Sequence, residues 1–262
     1  DGRDRWQTGG YWASVFRGQP WEGSLPTRPG AVMEYRLRGD IRSPEDLNTP
    51  NPNDRLYAGT WWLGAHTHFA TGGFDVAAGL DLAITGEQSG LRQFQGWLHD
   101  SLSFPRVDIG AQQVDNQIRL HGTVEVARDL RFGGGAVRPF VELQGGAETM
   151  ARAGLDVTLG SLGDGGLMTR DPVTGHRVTA ISGDDGGWSA IFGADYAYVD
   201  SSIFLPDTRG PALEDTRTRL RAGVNYGFGD SNIFYGVTYL SEEFVGQREG
   251  QVVGAVTLDF RF

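Results

Sequence analysis

Apolar and polar residues alternate along most of this chain with a period of two. In the last segment Val252, Gly254, Val256, Leu258, Phe260 and Phe262 share one face. Gln251, Thr257, Asp259 and Arg261 share the other, interrupted by Val253 and Ala255. Side chains that point to opposite sides of a pleated strand give this pattern; a helix repeats about every 3.6 residues. The same alternation runs through Phe74 to Ile84, Ile118 to Val126 and Leu220 to Phe228. Trp188, Phe192, Tyr196 and Tyr198 share a face, as do Ile233, Tyr235, Val237 and Tyr239.

Eleven strands are read, at 6–16, 30–40, 56–70, 73–85, 115–130, 137–148, 152–161, 187–200, 215–228, 232–241 and 250–262. Most of them run to about 10–14 residues, the reach of a tilted strand across a bilayer, where strands of soluble sandwiches average about 5 or 6. Length therefore points to an all-β fold, a transmembrane antiparallel β-barrel, and a terminal aromatic on an alternating strand resembles the assembly signal of outer-membrane barrels. With Phe262 on the periplasmic side, connections 41–55, 86–114, 201–214 and 242–249 lie outside. Connections 71–72, 131–136 and 229–231 lie inside as short turns, with 17–29 and 162–186 as two long exceptions. Bacterial barrels have even strand numbers. The expectation is a twelve-strand barrel, one domain over 1–262, with its first strand ahead of residue 1. Leu91, Phe94 and Leu98 have helical spacing, which predicts a short amphipathic helix in the outer loop 86–114.

Composition narrows the class further. A mean hydropathy of −0.33 gives no helix-spanning run, yet a barrel has such an average because only alternate residues meet lipid. The 40 glycines lack a three-residue repeat, which excludes collagen, and 7 Trp, 14 Phe and 8 Tyr exclude disorder. A net charge of −10 argues against nucleic acid as a partner. Acidic residues are expected mostly in solvated loops, with Gly and Ala packing the lumen. There is no cysteine, hence no disulfide. No leader of the secretory kind is visible, as in a mature sequence.

Several short stretches carry the candidate chemistry. They are Asp4-Arg5-Trp6-Gln7-Thr8-Gly9-Gly10, Pro52-Asn53-Asp54-Arg55-Leu56-Tyr57-Ala58-Gly59, Gly86-Glu87-Gln88, Phe94-Gln95-Gly96-Trp97-Leu98-His99-Asp100, Asp115-Asn116-Gln117-Ile118 and the ending from Glu243. No single piece is specific. As an ordered set over nearly the whole chain they resemble the lipid A 3′-O-deacylase (LpxR) family of bacterial outer-membrane barrels. The resemblance implies hydrolysis of the ester that carries the 3′ acyloxyacyl group of lipid A, with a divalent cation, usually Ca²⁺. It implies an active site between the outer barrel wall and the extracellular helix, with lipopolysaccharide and outer-membrane lipids as partners.

His99 matches the family's histidine, and a neutral imidazole can take a proton from water attacking an ester. Its plain alternative is a solvated loop histidine beside Asp100. Thr8 matches a second-strand hydroxyl able to position water or substrate, against an ordinary strand threonine. The family's first-strand Asn-Asp pair has no counterpart. Pro105 stands near the place of its glutamate, and Asp108 is the nearest carboxylate after it. No metal ligand is assigned.

Other features have plainer readings. An Asp54-Arg55 pair would pin a loop to the rim. Trp61, Trp62 and Trp97 would sit at the membrane interface. His66, His68, His121 and His176 lack a metal-ligand spacing, and Gly163 to Gly166 reads as a flexible turn. Without a Gly-x-Ser-x-Gly elbow, a Ser-His-Asp hydrolase is disfavoured. A deacylase is the leading reading. A catalytically inactive barrel serving as a structural or assembly component of a membrane complex is the second. A porin or phospholipase barrel is the third.

Overall fold

The computed structural model describes residues 5–49, 51, 53–104, 107–183, 186–229 and 231–260. Asp4, Pro105 and the terminal Phe262, to which the sequence reading gave roles, lie outside the described residues. Strands form wherever the chain alternates: β1 (Trp6–Gly18), β2 (Val32–Ser43), β3 (Ala58–Thr71) and β4 (Phe74–Thr85). A 3₁₀ turn (Glu87–Ser89) and helix α1 (Leu91–Leu102) follow, at the predicted place. Then come β5 (Gln117–Ala127), β6 (Leu130–Phe132), β7 (Gly135–Gly145), β8 (Glu148–Leu159), β9 (Leu167–Arg170) and β10 (Arg177–Ile181). The chain continues with β11 (Gly187–Ser202), β12 (Thr216–Phe228), β13 (Ser231–Leu240) and β14 (Gln251–Phe260).

One antiparallel sheet runs β1-β2-β3-β4-β5-β7-β8-β11-β12-β13-β14 and curls into a nearly closed barrel. β5 and β6 are one strand in a single register on β7, since Ala127 faces Phe140 and Leu130 faces Val137. The ladder breaks between them because Pro139, opposite Arg128, has no N–H to donate; only the Arg128 N–H to Pro139 carbonyl bond remains, at 3.2 Å. The eleven spanning strands of the sequence reading are thus all present. β1 and β14 flank a seam without a backbone ladder among the described residues. At its outer end the Gln251 side chain accepts from the Gln7 N–H (2.9 Å) and donates to the carbonyls of Arg5 (2.9 Å) and Gln7 (3.1 Å).

The two faces of the wall differ sharply. Along β2, Tyr35 and Leu37 are exposed on the outside, while Glu34, Arg38, Asp40 and Arg42 are buried inside. The outer surface is apolar around the barrel, with Leu80, Leu120, Leu143, Phe192, Tyr235 and Val256 exposed, as a lipid-facing wall requires. The lumen corrects the sequence reading. It is packed by ion pairs rather than by Gly and Ala, and many acidic residues lie inside instead of in loops. Arg42 meets Glu148 at 3.2 Å, Arg219 meets Asp195 at 3.0 Å, Arg221 meets Asp156 at 2.7 Å, and His68 meets Glu34 at 2.9 Å. Inward glycines make the room. A side chain at Gly64 or Gly79 would strike His66, and one at Gly193 would strike Arg221. Alternation alone hides this, because a charged inward residue reads as a solvated one.

The long inner connection 162–186 also has a reason. β9 and β10 form a hairpin that enters the lumen and, with wall residues such as His66, His121 and Glu142, lines a cavity of about 400 Å³ there. Arg170 reaches Glu125 (2.5 Å) and Asp156 (2.9 Å), Thr169 donates to Glu34 (3.0 Å), and the Thr174 carbonyl accepts from Thr238 (3.1 Å). Gly163–Gly166 is fastened rather than loose: the Gly165 carbonyl accepts from Trp21 Nε1 at 2.6 Å, and Asp164 pairs with Arg131. Trp62 is likewise not at the membrane interface. It turns inward, 2% exposed, and donates to Asp40 beneath the guanidinium of Arg38.

Candidate lipid-facing active site

The outer end of the barrel carries helix α1, and the way it is attached follows from the short motifs. Gly59 of β3 is where the helix touches the wall, since a Cβ there would lie 2.7 Å from the Leu91 Cβ. Trp61 of β3 donates its Nε1–H to the Ser89 carbonyl at 2.9 Å. Gln88 joins the ends of β4 and β5 by donating to the carbonyls of Thr85 and Gln117, both at 3.0 Å. Its own N–H reaches the Asn116 side chain at 2.9 Å, and Gly86 (φ +92°) lies against Asn116 where a side chain would clash. Leu91, Gln95 and His99, four residues apart, form the buried stripe of α1. Gln95 accepts from the hydroxyl of Tyr57, itself fully buried, at 2.9 Å. Phe94, Trp97, Leu98 and Leu102 remain exposed on the helix as an apolar face.

A groove of about 1180 Å³ opens between α1, the head of β1 and the loops 44–57 and 241–250. Thr8 and His99, predicted from separate stretches of sequence, both line it. Thr8 gets there through a β-bulge. The register of β1 on β2 shifts between Gln7, opposite Arg42, and Gly9, opposite Ile41, so Thr8 is an extra residue. Its hydroxyl is hydrogen-bonded to that of Ser43. His99 sits in the last turn of α1, its carbonyl accepting from the Phe104 N–H at 2.8 Å and its ring edge-on to Phe104 at 5.7 Å. Asp108 is different: it is exposed, its N–H bonds the Leu47 carbonyl at 2.8 Å, and it does not line the groove.

The groove is two-sided. Gly9, Gly10, Tyr11, Gly39 and Ile41 on the wall, with Leu91, Phe94 and Leu98 on α1, make an apolar cleft. Glu45, Asp46, Asn48, Thr49, Asn51 and Asn53 make a polar lip. Asp46 caps its own turn, and the backbone N–H of Asn48 with both donors of Thr49 hold its carboxyl below the usual range. Asp54 accepts from the Glu45 N–H (2.6 Å) and Arg55 N–H (2.7 Å), while Arg55 pairs across the rim with Glu243. Arg55 therefore pins the rim through Glu243, not through Asp54.

These commitments bear on the expected cation. Ca²⁺ takes about six to eight oxygen ligands. Glu45 is held by Arg5 at 3.2 Å, and Asp54 and Asp46 are spent on backbone donors. Among the described residues no three His, Cys, Asp or Glu side chains converge. The described residues thus offer no ready-made carboxylate cluster for such an ion.

Sequence reasoning missed Trp6, Ser43, Tyr57 and the polar lip. Tyr57 and Gln95 stood inside quoted motifs, and the four-residue step from Gln95 to His99 was the signal for a shared helix face.

A barrel with an apolar outer wall, a hairpin inside its lumen and an amphipathic groove at its outer end has the build of an outer-membrane protein. The family described as outer membrane protein LpxR matches residues 4–262, and the chain belongs to that family. Among solved structures, LpxR from Salmonella typhimurium has this fold, with a TM-score of 0.75 at 17% identity over 97% of this chain and 88% of that one. No curated protein matches the chain.

Proposed function

We propose that the protein is a lipid A-modifying esterase that hydrolyses the 3′ acyloxyacyl ester within the groove beside α1. The observation that carries this reading is the meeting of Thr8 and His99 in one amphipathic groove on the lipid-facing wall of an LpxR-family barrel. An acyl chain suits the cleft of Tyr11, Ile41 and Leu91, and a sugar headgroup suits the amide-rich lip. Lipid A approaches sideways through the outer leaflet, so the plugged lumen is no obstacle.

In this reading the His99 imidazole accepts a proton from a water as its oxygen attacks the ester carbonyl carbon. The tetrahedral intermediate collapses, the C–O bond to the sugar breaks, and the proton passes to the departing sugar hydroxyl. The released acyl chain leaves as a carboxylic acid and gives its remaining proton to solvent. The Thr8 hydroxyl, with Ser43, orients the water or the ester. No step is routed through a cation, given the ligands available.

A second reading, an inactive barrel that binds lipid A or joins a membrane complex, is favoured by the position of Asp108 outside the groove. Lipid A mass spectra from membranes with and without the protein separate the two. Loss of one acyloxyacyl group supports the esterase, and an unchanged mass with folded protein and added Ca²⁺ supports the inactive barrel.

A further inference from the structure

Trp6 lines the same groove. It is 3% exposed, and its indole Nε1 has no hydrogen-bond partner among the described residues. Buried indole N–H groups normally find an acceptor, so an orphaned one beside an open groove calls for a ligand oxygen. The backbone points the same way. Trp6 has φ +53°, a conformation that bulky side chains rarely adopt, immediately before the Thr8 bulge. Its ring is packed against Leu205 and Phe244, the latter also at the groove, and is covered by the Arg5 guanidinium at 4.4 Å. Strained backbone and packed ring thus hold the indole in place beside the groove, and no described residue accepts its N–H.

We infer that Trp6 is a substrate-binding residue whose indole N–H donates a hydrogen bond to an ester oxygen of the lipid in the groove. This rests on the esterase reading for the identity of that lipid, lipid A. A phospholipid ester offers the same oxygen chemistry, and the experiment separates the two sources.

The test is the indole ¹H–¹⁵N NMR signal of Trp6, assigned with Trp6→Phe, in nanodiscs of ether-linked phosphatidylethanolamine, which has no ester carbonyl. Added lipid A is expected to move the Trp6 proton downfield, and ester-linked phosphatidylethanolamine to leave it in place. No shift with lipid A overturns the inference. An equal shift with the ester phospholipid overturns the assignment to lipid A. In turnover assays Trp6→Phe, which keeps an aromatic ring, is expected to raise the KM for lipid A about fivefold with kcat unchanged, the loss of one neutral hydrogen bond. An unchanged KM in a folded Trp6→Phe barrel overturns the inference while leaving the esterase intact. A wild-type protein that shifts Trp6 on lipid A yet releases no acyl chain supports the donor and refutes the esterase.

Discussion

At the scale of single residues, the outer rim depends on charges that burial would penalise. Burial alone would raise the Glu243 carboxyl, but Arg55, Arg217 and Arg42 around it bring it down from 4.5 to about 2. A carboxylate whose pKa falls on folding adds stability above its unfolded pKa and loses it as pH drops through the folded value. The loop 241–250 is therefore expected to stay protected from proteolysis at pH 5 and to become susceptible as pH falls from about 4.5 towards 2. Arg55→Ala leaves the partly buried Glu243 without its nearest cation; a fully buried pair would lose on the order of 3 kcal/mol, and screening at the rim reduces this to about 1–2 kcal/mol. Urea unfolding in detergent micelles should register that loss. An unshifted midpoint would mean that Arg217 and Arg42 suffice.

At the scale of elements, α1 and the β9–β10 hairpin make separate predictions. Helix α1 is set by its contact at Gly59, where the Leu91 Cβ leaves no space for a side chain. Gly59→Val should push the helix outward and reduce acyl release by at least about tenfold, since a small misplacement of a catalytic group is costly. Barrel folding, read as heat-modifiable gel mobility, should persist. The hairpin predicts a closed lumen. Planar bilayers holding the wild-type protein should show no steady conductance, and deletion of 164–182 should open a measurable pore. A conducting wild type would refute the plug.

The same elements mark what the sequence could reveal. All eleven spanning strands and the helix were legible because period-two and helical spacing survive averaging, even where Pro139 interrupts the ladder. The hairpin was read only as an awkwardly long inner connection, because two strands of 4 and 5 residues carry no clear period. The ordered motifs pointed to His99 and Thr8, which the structure brings to one groove. The orphaned indole of Trp6 is recorded by no pattern, because it is a missing acceptor. The charged lumen was invisible for a different reason: pairing partners such as Arg42 and Glu148 lie 106 residues apart.

The whole molecule is an LpxR-family barrel of the bacterial outer membrane, and the groove proposed as its site lies at the outer end beside α1. The lumen holds ion pairs, a hairpin and a polar cavity of about 400 Å³, while the larger groove beside α1 brings Thr8, Trp6 and His99 to one surface. The most direct test is mass spectrometry of lipid A from outer membranes carrying the wild-type protein or His99→Ala, with Ca²⁺ supplied and barrel folding verified by gel mobility. The account predicts loss of one acyloxyacyl mass with the wild type, and at least about a hundredfold slower loss with His99→Ala, as for removal of a general base. Intact lipid A in both membranes, or equal loss in both, would contradict it.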